Sequence, residues 1–264
     1  MSVTAADRLK TLTARRVPPL GGFNLTFLYL EVRRMLRNRR TVILTLVLPV
    51  ALFLLLRSTK RIAGAHSAEL TGSTMIGIAV YGAMLAATSG GALVSIERAL
   101  GWSRQLRITP LRPAAYIGIK LAIAMLLGLV SVTAVYVAGL IDGVQMATQT
   151  WLLTGLLAWV AALVFASFGL FMGYLLPSEN VMQLIAPFLG VFALVGGLFV
   201  PTSLLPSTIQ NIAPYMPPYG VAEIARFPLV GGNFDATWVL SVVLWTAAFS
   251  VGAMYLFRRD TTRA

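Results

Sequence analysis

The chain of 264 residues has no cysteine, one histidine, three lysines and nine acidic residues. Without cysteine there can be no disulfide, thiolate metal site or cysteine nucleophile. His66 stands alone among Gly64, Ala65 and Ser67, so neither an HExxH motif nor a Cys/His cluster can be assembled around it, and its plain reading is a solvated loop side chain. Glu69, Glu97, Asp142, Glu179, Glu223 and Asp235 lie at the ends of apolar segments or between them, and no two carboxylates share a helix face at i, i+3 or i+4. That disfavours chemistry built on paired carboxylates. The lysines exclude a phosphate-binding loop: Lys60 precedes Arg61, Lys120 precedes Leu121, and Lys10-Thr11 has no glycine before it. The chain is therefore expected to be no enzyme and to bind no cofactor of its own.

Charge is scarce as well. Only 11% of residues are charged and 58% are hydrophobic, with a mean hydropathy of +0.81, whereas soluble domains carry about 25% charged residues. Such a chain needs lipid around it. Its net charge of +12 is read as an orientation signal and as attraction to anionic lipid heads, not as a nucleic-acid surface.

A bilayer-spanning helix takes roughly 20 apolar residues. Six stretches meet or approach that length: Thr41 to Leu56, Thr71 to Ile96, Tyr116 to Ile141, Trp151 to Leu176, Val181 to Val200 and Trp238 to Phe257. Pro49 predicts a kink in the first. The second is rich in small residues, and residues 177–180 make the fourth and fifth a tight antiparallel hairpin. With the N-terminus inside, sixteen Lys/Arg fall on the cytoplasmic side and four outside, so both termini are expected in the cytoplasm. Arg57, Lys60 and Arg61 run against that trend. Lys120, inside the third stretch near its cytoplasmic end, is expected to snorkel to the surface. Gly169-x-x-x-Gly173 and Gly139-x-x-x-Gly143 allow close helix approach, chiefly within the chain.

Residues 1–22 read as a flexible basic cytoplasmic tail, 23–257 as a single six-span domain and 258–264 as a second cytoplasmic tail. Within the domain, Leu25, Leu28, Tyr29, Val32, Met35 and Leu36 recur at helical spacing opposite Glu31, Arg33, Arg34 and Arg37. This predicts an amphipathic helix in the cytoplasmic interface. None of the six stretches holds an acidic residue away from its ends, which disfavours ion-coupled transport.

Two connecting segments carry more. The loop after the second stretch reads Ile96-Glu97-Arg98-Ala99-Leu100-Gly101-Trp102-Ser103-Arg104-Gln105-Leu106-Arg107-Ile108-Thr109-Pro110-Leu111. Thr109-Pro110 ends a helix, and Leu100, Trp102, Leu106 and Ile108 are too apolar for a freely hydrated loop. A short helix over 97–109 is expected to set its apolar side in a groove of a partner, with Arg104 and Arg107 on the rim. The second segment contains Pro201, Leu205, Pro206, Ile209, Pro214, Pro217, Pro218, Tyr219, Glu223 and Arg226. Its prolines forbid one continuous helix, while Leu204, Leu205, Ile209, Ile212 and Tyr215 are apolar. Two short helices dipping into the outer leaflet, hinged near Pro217-Pro218, are expected.

The first segment resembles the Glu-Arg-x-x-Gly…Leu-x-x-Thr-Pro-Leu loop of type-2 ABC exporter permeases, a family that includes the daunorubicin-exporter type, and Trp102 resembles its drug-efflux branch. The second is similar to that family's outer signature, a re-entrant helical pair. Ala99 and Leu100 stand where charged residues are frequent in the family, and Arg104 where many members are acidic. The likeness covers about residues 23–257. It implies an all-α integral membrane protein with six transmembrane helices, an N-terminal interfacial helix, a cytoplasmic coupling helix and a re-entrant outer pair. It also implies ATPase coupling through Glu97, Arg98, Gly101, Trp102, Arg104, Leu106, Arg107, Thr109 and Pro110. The implied partners are two cytoplasmic ABC ATPase chains, which hold ATP and Mg, and a second permease chain, identical or related, in a bacterial plasma membrane. The implied activity is export of an amphiphilic drug, antibiotic or lipid-like molecule. A self-contained secondary transporter or channel is the alternative from the residues alone, and a membrane-bound enzyme a third class.

Overall fold

The computed structural model describes residues 43–62, 68–101, 113–177 and 181–263, together with Tyr29, Leu30, Arg33 and Arg37. All regular structure among the described residues is helical. The elements are α1 (Leu48–Ile62), led by a π-helical turn over Ile43–Val47, α2 (Ala68–Ala92), α3 (Val94–Ala99), α4 (Pro113–Ile141), α5 (Thr148–Ala161) and α6 (Leu163–Leu175). They continue with α7 (Val181–Val195), α8 (Ser207–Ile212), α9 (Pro217–Val230) and α10 (Ala236–Arg263). Four apolar stretches are long enough to cross a bilayer: Glu69–Ala99, Tyr116–Ile141, Thr148–Leu175 and Ala236–Arg259. Two shorter apolar helices, Thr45–Ser58 and Gln183–Val195, occupy the places of the expected first and fifth spans. The chain is a multi-pass membrane protein.

The bundle is organised around α2. From Gly72 to Thr88 every residue is buried, because the glycines, alanines, serine and threonines of this stretch let neighbours close in from all sides. A helix without a polar face belongs in the interior of a bundle. α4 and α6 pack along it, with α1, α5, α7 and α9 completing the ring. Gly91 and Gly169 are the points of nearest approach between α2 and α6: a Cβ on Gly169 would lie 2.3 Å from the Thr88 carbonyl oxygen, and one on Gly91 2.6 Å from the Leu170 nitrogen. The Gly169-x-x-x-Gly173 spacing thus serves packing inside the chain. In the other pair, Gly139 packs on Met75 and Trp151, whereas Gly143 (φ 78°) only turns the chain after α4.

Pro49 stands where the π-helical turn hands over to α1. It sits in the first turn of α1, just past the π-helical turn, and packs against Gly82. Proline offers no N–H to the carbonyl four residues back, which is that of Thr45, and the Ser131 hydroxyl donates to this oxygen at 2.6 Å. The fifth apolar helix stops at Val195, short of Val200, because Gly197 adopts φ 71° and turns the chain. The fourth stretch is interrupted at Ala162, where neither proline nor glycine stands. Lys120 does not snorkel: it is 2% exposed, held by an anion from a neighbouring helix. Arg57 of α1, one of the three cations that oppose the charge trend, pairs with Asp142 in the turn between α4 and α5.

Candidate functional site

Two clusters of polar groups tie the helices together, one at each end of α2. At its C-terminal end lies Glu97, on the short helix α3 and 4% exposed. Lys120 Nζ donates to its Oε1 at 2.5 Å, and the Tyr116 hydroxyl to its Oε2 at 2.5 Å. Tyr116 and Lys120 are four residues apart on α4, hence on one face, and the ammonium also lies 5.4 Å from the Tyr116 ring centroid. The next residue, Arg98, points to a different neighbour, as adjacent helical residues must. Its guanidinium donates to the Gly173 and Tyr174 carbonyls at 3.2 and 2.9 Å and covers the Tyr174 ring at 5.4 Å. These carbonyls belong to the last turn of α6, where a cation meets the negative end of the helix dipole. Gly101 follows at φ 72°, a left-handed turn that suits glycine and releases the chain from α3.

Of the residues expected to couple to a partner, Glu97 is therefore held against α4 and Arg98 against α6, while Gly101 only turns the chain after α3. Trp102, Arg104, Leu106, Arg107, Thr109 and Pro110 lie outside the described residues. So do Leu25, Leu28, Val32, Met35 and Leu36 of the amphipathic stretch, of which Tyr29 is helical and exposed. Sequence reasoning missed Tyr116 and Tyr174, and it placed Lys120 in the headgroups. The signal was available only as a Glu and a Lys at facing ends of consecutive antiparallel segments.

The second cluster centres on Arg226 of α9, 5% exposed. It donates from Nε to the Ser73 carbonyl at 3.3 Å, from Nη1 to Gly197 at 2.9 Å and from Nη2 to Leu198 at 2.9 Å. One guanidinium thereby joins α2, the turn after α7 and α9. Gly77 makes room for it: a Cβ there would lie 2.0 Å from the Leu198 oxygen and 2.3 Å from the guanidinium. Glu223, one turn back on α9, acts on the same charge.

The remaining residues of this proline-rich segment form a broken helical pair. Pro201 precedes a 3-10 turn over Thr202–Leu204, Leu205 ends it, and Pro206 opens α8, in which Ile209 is half-buried. A second 3-10 turn, Ala213–Tyr215, leads to Met216 in extended conformation (φ −90°, ψ 136°). Pro217 and Pro218 then start α9, buried in the first turn, where a missing N–H costs nothing. Tyr219 and Glu223 are partly buried on that helix. The Tyr215 carbonyl accepts from Trp245 Nε1 at 3.1 Å. Trp245 lies nine residues past Ala236, about 14 Å along α10 at roughly 1.5 Å per residue. Where α10 begins, Asp235 accepts from the Thr237 backbone and side chain, which hold its carboxyl below the usual range.

The family model described as ABC-2 type transporter matches residues 25–230. The curated Bacillus subtilis (strain 168) protein named "Putative transport permease YvfS" is 24% identical over 235 residues, an alignment covering 87% of this chain and 95% of that protein.

Proposed function

Because the chain belongs to the ABC-2 type transporter family, we propose that it is the transmembrane subunit of an ATP-driven exporter of an amphiphilic molecule. The observation that carries this reading is the family match across the first five of the six apolar helices and both polar clusters, in a chain with no phosphate-binding loop. Nucleotide energy then has to enter through another polypeptide. Two ABC ATPase chains, holding ATP and Mg, bind at the cytoplasmic loop between α3 and α4, and a second permease chain completes the pathway. The six apolar helices all cross the plasma membrane, leaving both termini in the cytoplasm. The broken pair α8–α9 enters the outer leaflet. In support, Tyr215 meets α10 well below its first turn, and Leu204, Ile212 and Tyr215 present exposed apolar surface.

Carriers driven by an ion gradient commonly take the ion on an intramembrane carboxylate, although backbone carbonyls can also bind sodium. Glu97, buried between helices, has both oxygens engaged by Lys120 and Tyr116. Co-expression with ABC ATPases, followed by substrate-stimulated ATP hydrolysis in lipid, tests the proposal. Transport by the purified chain alone under an ion gradient would overturn it. Within the loop, Trp102→Ala combined with Leu106→Ala is expected to lower retention of the ATPase by more than tenfold, since a buried aromatic anchor commonly contributes about 2 kcal/mol or more to an interface. Unchanged retention on an affinity column would remove the loop from the docking surface. The outer segment has its own check in a chain with no background thiols. Cysteines placed singly across 204–216 should label slowly at 213 and 216, and rapid uniform labelling would mean an ordinary hydrated loop.

A further inference from the structure

We propose that Glu97, Lys120 and Tyr116 form a latch at the root of the 102–112 loop, which passes a displacement of that loop to α2, α4 and α6 as one body. The inference rests on the function proposed above and assigns Glu97 a place that is not at the partner's surface. Its carboxylate faces inward, so it acts by positioning.

The geometry leads there in three steps. First, the loop has two roots, and the latch joins them. The chain leaves α3 at Leu100-Gly101 and re-enters helix at Pro113, three residues before Tyr116. Glu97 on one root is gripped by two donors from one face of the other. Two donors on two carboxylate oxygens fix both the distance and the rotation of α3 against α4. Second, α3 is a six-residue end segment that continues α2 past the turn at Leu93, and the end of a helix frays without lateral support. That support comes from Glu97 toward α4 and from Arg98 toward the end of α6, so the short helix is clasped between two long ones. Third, there are places where motion would otherwise dissipate. α2 passes into α3 through a turn at Leu93, whose carbonyl is shared by the Ile96 and Glu97 N–H groups, and Gly101 is a left-handed turn. A push on the loop would bend the chain at those two points unless α3 were tied sideways.

Stability alone does not call for this arrangement. Removing a carboxylate and an ammonium from water is expensive, and apolar residues of similar volume commonly serve as well or better. An apolar patch would, however, let α3 slide against α4, whereas a doubly bonded carboxylate has one seat.

The test separates transmission from folding and from docking. In a chain carrying Leu204→Cys on the outer segment and co-expressed with its ABC ATPase, the reactivity of that thiol toward an impermeant maleimide is measured with and without ATP plus vanadate. The wild-type latch is expected to give a nucleotide-dependent change of about fivefold or more, the low end of ordinary coupling between sites. The double variant Glu97→Gln/Lys120→Met removes both buried charges and should fold and retain the ATPase as well as the parent. Its nucleotide response should nevertheless fall below about twofold on the same scale. Lys120→Arg, which keeps the charge and the donors, should keep the response. A full response in the double variant overturns the latch. So does a parent that retains the ATPase but shows no change at position 204, since nothing would then be transmitted. Failure of the parent to retain any ABC ATPase overturns instead the exporter reading beneath it. If the double variant does not fold, Tyr116→Phe decides, because it removes one bond and leaves the ion pair. A response reduced two- to threefold, about 0.4 to 0.65 kcal/mol of coupling, supports the latch, and an unchanged one overturns it.

Discussion

Replacing Arg226 by methionine is expected to remove most of the folded protein. The guanidinium is 5% exposed and serves three carbonyls on two separate segments, Ser73 on α2 and Gly197 and Leu198 after α7. Methionine fills much of the volume but donates nothing, so those oxygens lose donors in an interior where water cannot replace them. Breaking a buried charged network costs about 3–5 kcal/mol, against a total stability of about 5–15 kcal/mol for a typical domain. The monodisperse fraction on size exclusion should fall by more than half, with a lower thermal midpoint in detergent. Arg226→Lys should recover only part of the loss, because one ammonium cannot reproduce the forked donor set. Gly77→Ala attacks the same junction from the other side, since its Cβ would occupy the space of the Leu198 oxygen and the guanidinium. Wild-type elution and melting of Arg226→Met would show that the junction contributes little.

Adding one methyl group at Gly169 is expected to have the second largest effect. Its Cβ would lie 2.3 Å from the Thr88 carbonyl oxygen and 2.8 Å from the Thr88 Cα. Both are backbone atoms of the central helix, so no side chain can rotate away and α6 has to shift as a whole. Overpacking of this kind costs about 1–3 kcal/mol, here concentrated at one helix crossing. Gly118→Ala is the natural control. No atom lies within 4 Å of its Cβ position on α4, so the better helix propensity of alanine should leave stability equal or higher by up to about 1 kcal/mol. The comparison is a difference in thermal midpoint between two Gly→Ala variants of one protein. Equal midpoints would mean that α2 and α6 are not tightly seated.

Much of this architecture was legible in the residues because a bilayer imposes a length and a composition. The long apolar stretches emerged where hydrophobic runs predicted them. The proline-rich segment broke where its prolines required, with Met216 extended just before Pro217-Pro218. The small residues between Gly72 and Gly91 marked the helix on which α1, α4, α5, α6, α7 and α9 all pack. Contacts between distant positions were not legible. Arg226 bonds backbone oxygens 28, 29 and 153 residues away, and a carbonyl leaves no trace in a sequence. Lys120 illustrates the same limit. A lone lysine near the end of an apolar run reads as a snorkelling side chain, and only the register of α3 against α4 shows that Glu97 waits for it. The pairing of Arg57 with Asp142 likewise gives a misplaced cation a local reason that charge counting could not supply. The interruption at Ala162 has no residue signature at all.

The contrast between the second helix and the last bears on how such a protein can change over generations. Of the apolar window in Glu69–Ala99, 89% is enclosed by protein, and of that in Ala236–Arg259 only 6%. Drift in the former strikes a neighbour at almost every position, whereas the latter tolerates exchange of one oily residue for another on the face it turns away from α6 and α9. Lineages that diverge in cargo or in membrane composition therefore have room to adapt on the rim while the axle stays as it is.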